Sequence, residues 1–563
     1  MVHNSDPKYR YQGRKFPHDL SHNLMFTSSC GQLIPVLTDF LYPGDHVEIA
    51  SNLFTRLAEV ETAAFTKMRE HIEYFFVPIN HIISTFPQFI YGVGKNVSVL
   101  TTDPNTIATQ VGVPILEPST DYNAMITGKF DLFNQSVSGD AKRLLDMLEY
   151  SGAPDYNVLG VNGMGVNVLR ICAYHKIFFD HYALQDRTII DNSLYNLDDC
   201  LPNMPYIPFG TPSLRDASKF FSIHYRPFQH DYFSDMKVSP VETPSFAKNA
   251  TSSLSANVNN WLSNRSNFKA LNPQSVHNSD DASTVGFYDT STSVSLYSLT
   301  SANIRALFAV DKLLEITRRS KKDYAHQTMA HFGSNVPEGI SGSVYRLGSI
   351  TQDLTIQDVD AGANSVYFDS QNNQAVPTSF LGQQGGKGVT MEKNLRPVKF
   401  TAPCHGILMG IYSCEPLVNY PDTMISRQNS YALREDFFTP EYDHLGMQPI
   451  FGYEMYAAYP SLRTNVYGWQ YRYQESKQKF NRITTGFNTA GLSSWNTVRS
   501  TSQFFSNQEF AFYIPPTYLN SIMLVQYDND DFGTDPLRHS LDFYYMKSSV
   551  MSNYSLPQLS GNV

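Results

Sequence analysis

The sequence predicts a mainly β fold: a single antiparallel jelly-roll barrel carrying long helical and loop insertions. Three observations predict it. Apolar and polar residues alternate with period two near both ends of the chain, as half-buried strands require. The middle carries helix-like stretches and long Ser/Asn-rich runs instead. The composition pairs 17% charged residues with 13% aromatic ones over 563 positions, against ~25% charged in ordinary soluble proteins. A barrel whose first and last strands meet, with insertions hung on its connections, fits this layout better than a string of domains.

The elements follow in order. Residues 1–16 read as an extended basic arm, with Lys8, Arg10, Arg14 and Lys15 set against Asp6. Residues 17–90 hold barrel strands. Gln32–Val36 runs toward a Pro43–Gly44–Asp45 turn, and Val47 and Ile49 alternate with His46 and Glu48. Ile72, Tyr74 and Phe76 alternate with Glu73 and Phe75 and stop at Pro78. Residues 91–237 form a helix-containing insertion, with helices expected over Ala141–Gly152 and Leu169–Leu184. Residues 238–300 form a Ser/Asn-rich surface excursion that still holds Trp261, Phe268, Phe287 and Tyr288, so an ordered excursion is expected. Residues 301–395 carry a helix after a Ser301 N-cap, with Ile304, Leu307, Phe308 and Leu314 on or near one face. A second helix, Asp323–Phe332, stops at Gly333, and a Gly/Asn/Gln-rich loop spans 359–390. Residues 396–563 return to strands: Ile407, Met409 and Ile411, then Trp469, Tyr471 and Tyr473, then Ile522 and Leu524, then Leu541, Phe543 and Tyr545.

Several function classes drop out. Lys and Arg total 42 against 52 Asp and Glu, a net charge of −10, so a general nucleic-acid binder is excluded and any DNA contact is local. The five cysteines (Cys30, Cys172, Cys200, Cys404 and Cys414) are scattered without a CxxC pair, which predicts neither a disulfide framework nor a zinc ribbon. The opening MVHNSDPKYRYQGRKF has no apolar stretch, and no run of ~18 apolar residues occurs, so neither a secretory leader nor membrane insertion is expected. Enzyme signatures fail. Gly382 to Gly388 misses phosphate-loop spacing and puts Gly388 where a hydroxyl is needed. Asp528 to Gly533 resembles a calcium loop but has Phe532 at a ligand position and His539 where the bidentate Glu belongs. His326 and His331 are five apart, off one helix face. No catalytic residues, metal site or cofactor are expected.

Two segments could meet nucleic acid. One is the arm. The other is Trp469–Arg482, where Trp469, Tyr471, Tyr473 and Phe480 mix with Arg472, Lys477, Lys479 and Arg482. Single strands are held by stacking rings together with phosphate-neutralising cations. The same rings could fill a core if the segment is a strand.

Colinear stretches resemble the major capsid proteins of the Microviridae, small icosahedral phages with single-stranded DNA, and the gokushovirus-like branch in particular. They are Phe16–His22, Gly31–Val36 with Pro43–Asp45, Tyr74–Pro78, His230–Phe233, Ile304–Phe308 with Lys312–Glu315, and His331–Gly333. Late matches are His405–Ile407, Pro440–Tyr442 with His444–Gly446, and Asn481–Arg482. After Asp231–Phe233 the family often reads Leu-Pro-Trp-Pro-Gln, whereas Ser234–Pro240 stands here, which suggests a divergent branch. The resemblance implies an eight-stranded jelly roll and a T=1 shell of sixty copies around circular single-stranded DNA. It also implies a small basic DNA-binding protein and a minor pilot-type protein as partners. One insertion, residues 238–300 or residues 359–390, would build a threefold protrusion that meets a host receptor; the former is favoured for its length, with Trp261, Arg265, Phe268, Phe287 and Tyr288 as contact residues. The virion is then the expected location, with assembly in the bacterial cytoplasm. The rival class is a carbohydrate-binding or glycan-cleaving β-sandwich, whose rings would be sugar platforms; the missing catalytic motifs argue against it.

Overall fold

The computed structural model describes residues 14–91 except 63, 113–114, 139–150, 167–198 except 185–186, 215–238, scattered positions over 309–321, 324–337, 342–360, 365–369, 374–379, 384–392, 397–443, 446–456, 465–499, 510–529 and 531–552. It divides into two compact units. The first comprises Met1–Ser234, Glu338–Met424 and Phe480–Val563, the second Asp235–Pro337 and Ile425–Lys479.

In the first unit ten strands form one curled antiparallel sheet. Strand β4 (His46–Leu57) pairs along its length with β14 (Leu537–Ser549), from Leu57 opposite Leu537 to His46 opposite Ser548. The other edge of β14 takes β1 (Phe16–Asp19) and β2 (His22–Ser28). The other edge of β4 takes β10 (Val398–Thr401) and β9 (Gln384–Glu392). Strand β5 (Lys67–Pro78) lies between β6 (Tyr345–Asp360) and β11 (Gly406–Pro416), and β3 (Ile34–Leu41) borders β11. Strand β9 also pairs with β6, which joins the two sets.

The curl packs the two sets on each other. The Tyr74 hydroxyl on β5 donates to Ser51 Oγ on β4 at 2.9 Å. Phe76 on β5 packs against Phe400 on β10 at 4.9 Å between ring centroids, and Phe26 on β2 against Tyr412 on β11 at 5.3 Å. Gly406 is required here, because a Cβ would lie 2.3 Å from the Phe76 ring and 2.8 Å from the Val77 carbonyl oxygen.

Strand β5 is buried on both faces along its second half, although its sequence alternates. Helices cover the side away from the curl. Helix α1 (Gly139–Met147) and helix α2 (Leu169–Ile177) place Leu144, Leu148, Ile171 and Tyr174 in one cluster with Phe75, Val77, Ile407 and Met409. Helix α2 is buried on all sides save at Arg170, and its polar His175 and Lys176 are drawn in with it, His175 bonding the Phe220 carbonyl and Lys176 pairing with Asp180. It continues into a π turn, Phe178–Tyr182, within the expected 169–184 span.

Three expectations are corrected. The 359–390 stretch is not a loop: it contains the end of β6, the β7–β8 hairpin (Ser365–Asp369 and Gln374–Ser379) and most of β9. Its glycines lack strand propensity, but β6 and β4 supply pairing partners. Ile522 and Leu524 do not share a strand face: a single bridge joins Val60 to Met523, Ile522 is buried and Leu524 is 57% exposed. Tyr473 is not on a strand with Trp469. In the second unit β13 (Val466–Tyr471) pairs with β12 (Met447–Phe451) and ends two residues earlier. Tyr473 takes the left-handed conformation (φ 59°) that starts a short helix, Gln474–Lys477. The expected 323–332 helix is present as Tyr324–Phe332. The helix expected after Ser301 and the excursion of residues 238–300 lie outside the described residues, save position 238 and isolated positions after 308.

Candidate nucleic-acid and assembly interface

The Trp469–Arg482 segment divides between the units after Lys479. Trp469 is half-buried, and its backbone exchanges two hydrogen bonds with Lys237 at 2.8 and 2.9 Å. Tyr471 is exposed. Arg472 donates to the Glu435 carbonyl at 3.1 Å and lies 5.3 Å from the Tyr473 ring centroid. Tyr473 is buried, its hydroxyl donates to the same carbonyl at 2.9 Å, and its ring meets Phe438 at 5.3 Å. Lys477 pairs with Asp443 at 3.2 Å, and Arg482 with Asp422 at 2.8 Å. Phe480 packs between Phe233 and Tyr420 in the first unit. Lys479 is exposed without a carboxylate partner among the described residues. Arg472 and Lys477 are thus engaged within the second unit and Arg482 within the first.

Arg472 and Tyr473 hold a loop instead. Residues 426–443 run through three short 3₁₀ turns. The Asp436 carboxylate accepts the amides of Ala432 and Leu433 at 2.8 and 2.7 Å, which holds its pKa below the usual carboxylate range. The loop so fixed displays Leu433, Phe437 and Phe438, each more than half exposed. Aromatic and aliphatic side chains presented rigidly to solvent are what an interface core uses. In the first unit Phe65 is 68% exposed and touches Phe487 and Trp495, each at 5.9 Å between ring centroids. No motif signals either patch; only register and turn geometry bring them to the surface.

The arm enters the sheet at β1. Arg14 lies 5.7 Å from the Phe16 ring centroid, and Lys15 donates to the Gly44 carbonyl. Lys8, Arg10, Trp261, Arg265, Phe268, Phe287 and Tyr288 lie outside the described residues.

Charged groups are also drawn inward. Glu70 on β5 accepts from Thr55, Tyr412 and Gln352 at 2.8, 2.8 and 2.6 Å, and burial pushes its pKa up despite these bonds. Beside it His539 meets Thr55 through Nδ1 at 2.9 Å and Ser28 through Nε2 at 2.8 Å, and burial lowers its pKa to about 3. On the other face of β5, burial raises the Glu73 carboxyl, but Arg226, Tyr182 and Arg346 outweigh it and hold it below the usual range. Arg143 on α1 forks onto buried Asp535 at 2.8 and 2.9 Å. A cavity of ≈ 510 Å³ lined by Phe228, Phe487, Asn496, Arg499 and Tyr518 lies in the first unit. Its Arg499 is held by Ser234, Tyr420 and the Ala511 carbonyl, an arrangement of a packed interior.

Asp531 caps its own turn by accepting the Gly533 amide at 2.9 Å. Among the described residues no group of three His, Cys, Asp or Glu side chains could hold a metal ion, and no helix is long and apolar enough to cross a membrane. Cys30, Cys172, Cys404 and Cys414 are free thiols.

A family model described as capsid protein (F protein) matches residues 11–130 and 148–513. Capsid protein VP1 of Bdellovibrio phage phiMH2K is 24% identical over 492 residues, covering 81% of this chain and 79% of that protein. Capsid protein VP1 of Chlamydia phage 1 is 24% identical over 221 residues, covering 37% of this chain and 34% of that protein. The curled β sheet, the rigidly displayed apolar loops and a family match over most of the chain agree: this chain belongs to the capsid protein (F protein) family, the major capsid proteins of the Microviridae.

Proposed function

We propose that the chain is the structural subunit of a T=1 shell of sixty copies that encloses circular single-stranded DNA and performs no catalysis. The capsid-family match over residues 11–130 and 148–513 carries this reading. The exposed apolar groups around Leu433, Phe437 and Phe438, and around Phe65, Phe487 and Trp495, would be buried between copies.

The sheet is read as an eight-stranded jelly roll. The support is pairing order: β2–β14–β4–β10 on one side of the curl and β3–β11–β5–β6 on the other. In chain order the strands fall alternately on the two sides, except that β5 and β6 share one, with β7 to β9 inserted before β10. On this reading residues 17–90 and 396–563 supply the shell strands, 1–16 an inward arm, and 91–237 and 301–395 insertions that brace it. Residues 238–300 form the threefold protrusion that meets the host receptor.

Sixty copies at −10 each cannot neutralise a polyanion. A small basic protein therefore accompanies the genome, with a minor pilot-type protein for its delivery. Assembly takes place in the bacterial cytoplasm, and the virion is the final location. Expression of this chain alone, followed by sedimentation and electron microscopy, tests the reading. Round shells that hold little DNA are expected; a chain that stays monomeric at every concentration and ionic strength overturns it.

A further inference from the structure

The pairing register sets Arg538 on β14 directly opposite Arg56 on β4. Both side chains are exposed, so both point away from the interior of the curl. Directly opposed residues stand ~5 Å apart at Cβ, and like charges in that position destabilise a sheet. Neither guanidinium has a carboxylate or hydrogen-bond partner among the described residues. Nearby Asp535 cannot serve, because its two oxygens are taken by Arg143 and it is fully buried. Asp542, the next acid on the same face of β14, lies four residues along. That is ~13 Å at 3.3 Å per residue, and its carboxylate already accepts from Asn23 at 2.5 Å.

The surroundings complete a site. Arg56 lies 5.1 Å from the ring centroid of half-buried Phe54. The next row of the face runs Phe54, Ser540 and Met25, and Met25 is 76% exposed. Val389, opposite Arg56 on β9, is 40% exposed. Two unneutralised guanidinium groups beside exposed apolar and aromatic side chains match the cation-plus-platform arrangement that holds single-stranded nucleic acid. A planar guanidinium also takes a phosphate through two parallel hydrogen bonds.

We propose that Arg56 and Arg538 form a phosphate-binding site for the single-stranded genome on the outward face of the β2–β14–β4 sheet. Phe54 and Met25 would offer the adjoining surface to the bases. This deepens the reading of the chain as a DNA-enclosing subunit and rests on it. It also places a DNA contact away from the arm, since β1 pairs with the opposite end of β14.

The test compares the wild-type chain with the double variants Arg56→Gln/Arg538→Gln and Arg56→Lys/Arg538→Lys. Binding of an oligodeoxythymidylate is titrated against salt on the purified chain, and the DNA content of shells made with the remaining phage proteins is measured. In the glutamine variant the slope of log affinity against log salt should become shallower by about 1.4, at ~0.7 per phosphate on a single strand. Its shells should form normally and carry less DNA. The lysine variant should keep most of the slope. The glutamine variant should melt at the same temperature as the wild type or higher, because an opposed like-charge pair has been removed. An unchanged slope overturns the proposal. So does a glutamine variant that binds oligonucleotide normally but fails to assemble, which would assign the pair to a contact between copies. If the wild type forms no shells, the parent reading fails, while the oligonucleotide titration still decides the arginine site.

Discussion

Acid should loosen this subunit through His539. The imidazole is fully buried between the two sides of the curl, stacked on Phe26 at 4.5 Å and 4.5 Å from Tyr412 between centroids. Burial lowers its pKa to about 3, against an ordinary ~6.5. The sign follows from proton counts. Between pH 6.5 and 3 the unfolded chain carries a proton on this ring and the folded chain does not. Stability is therefore full above 6.5 and falls as pH drops toward 3. At 1.36 kcal/mol per pH unit, the loss from pH 7 to 5 is about 2 kcal/mol for this one group. Glu70 beside it works the other way. Its raised pKa means that its contribution is lost as pH rises above the ordinary carboxylate range, so acid restores it. A His539→Gln variant keeps Glu70 and so isolates the histidine. The assay is urea unfolding of the purified chain at pH 7 and pH 5, each variant referred to its own pH 7 value. The wild type should lose about 2 kcal/mol more than the variant over that interval. Equal losses in both would refute the claim that buried His539 stays neutral.

Four further outcomes are expected. The buried pair His175 and His224, 2.7 Å apart, should add to acid lability, because burial lowers the first to about 4 and holds the second well below its ordinary value. A His224→Gln variant unfolding with the wild-type pH dependence would count against this. Arg143→Met should cost about 3–5 kcal/mol by stranding Asp535, and adding Asp535→Leu should recover much of it, measured by the same urea assay. Gly406→Ala should destabilise by about 1–3 kcal/mol through the clash with Phe76 and Val77, whereas Ala at Gly44, which has open space around it, meets only the cost of its φ of 87°. Shells lacking residues 250–294 should assemble but fail to adsorb to cells; adsorption at the wild-type level would remove that segment from host attachment.

The period-two strands were the legible part of the fold. β4 and β14 have inner faces such as Val47 and Ile49, and Leu541 and Phe543, which alternation marks directly, while Ile407 and Met409 on β11 face the covering helices in a strand buried on both sides. Strands β7 to β9 were not legible, since Gln384–Glu392 holds three glycines in its first five residues and is a strand only because distant partners pair with it. The strand reading of the Trp469–Tyr473 stretch fails at its end for a related reason. Trp469, Tyr471 and Tyr473 alternate on paper, but a left-handed residue at 473 breaks the strand and turns Tyr473 inward onto Phe438. Glu73 sits where a half-exposed strand would place a solvent-facing acid, yet the helical layer over β5 buries it, while Glu70, on the opposite face, is buried inside the curl against Thr55 and Tyr412. The opposed pair Arg56 and Arg538 cannot be read from sequence at all, because 482 positions separate them and only register brings them together.

The low charge content acquires a sharper meaning from where the charges go. A monomer with few charged residues would be expected to spend them on its surface for solubility. This chain places Glu70, Glu73, Arg143, Arg215, Glu454, Glu475, Arg499, Asp535 and Lys547 inside instead. Several of these bind across the curl or onto its covering helices, as Lys547 does to Asp39 at 3.0 Å and Arg226 to Glu73 at 3.1 Å. Removing one partner from such a pair leaves a buried charge, which is far more costly than losing a surface ion pair. The groups thereby fix one arrangement of strands and helices. Among the described residues the surface also keeps large apolar groups in the open, Leu433, Phe437, Phe438 and Phe65 among them. Contacts between copies built from such surface depend on area and shape more than on ion pairs.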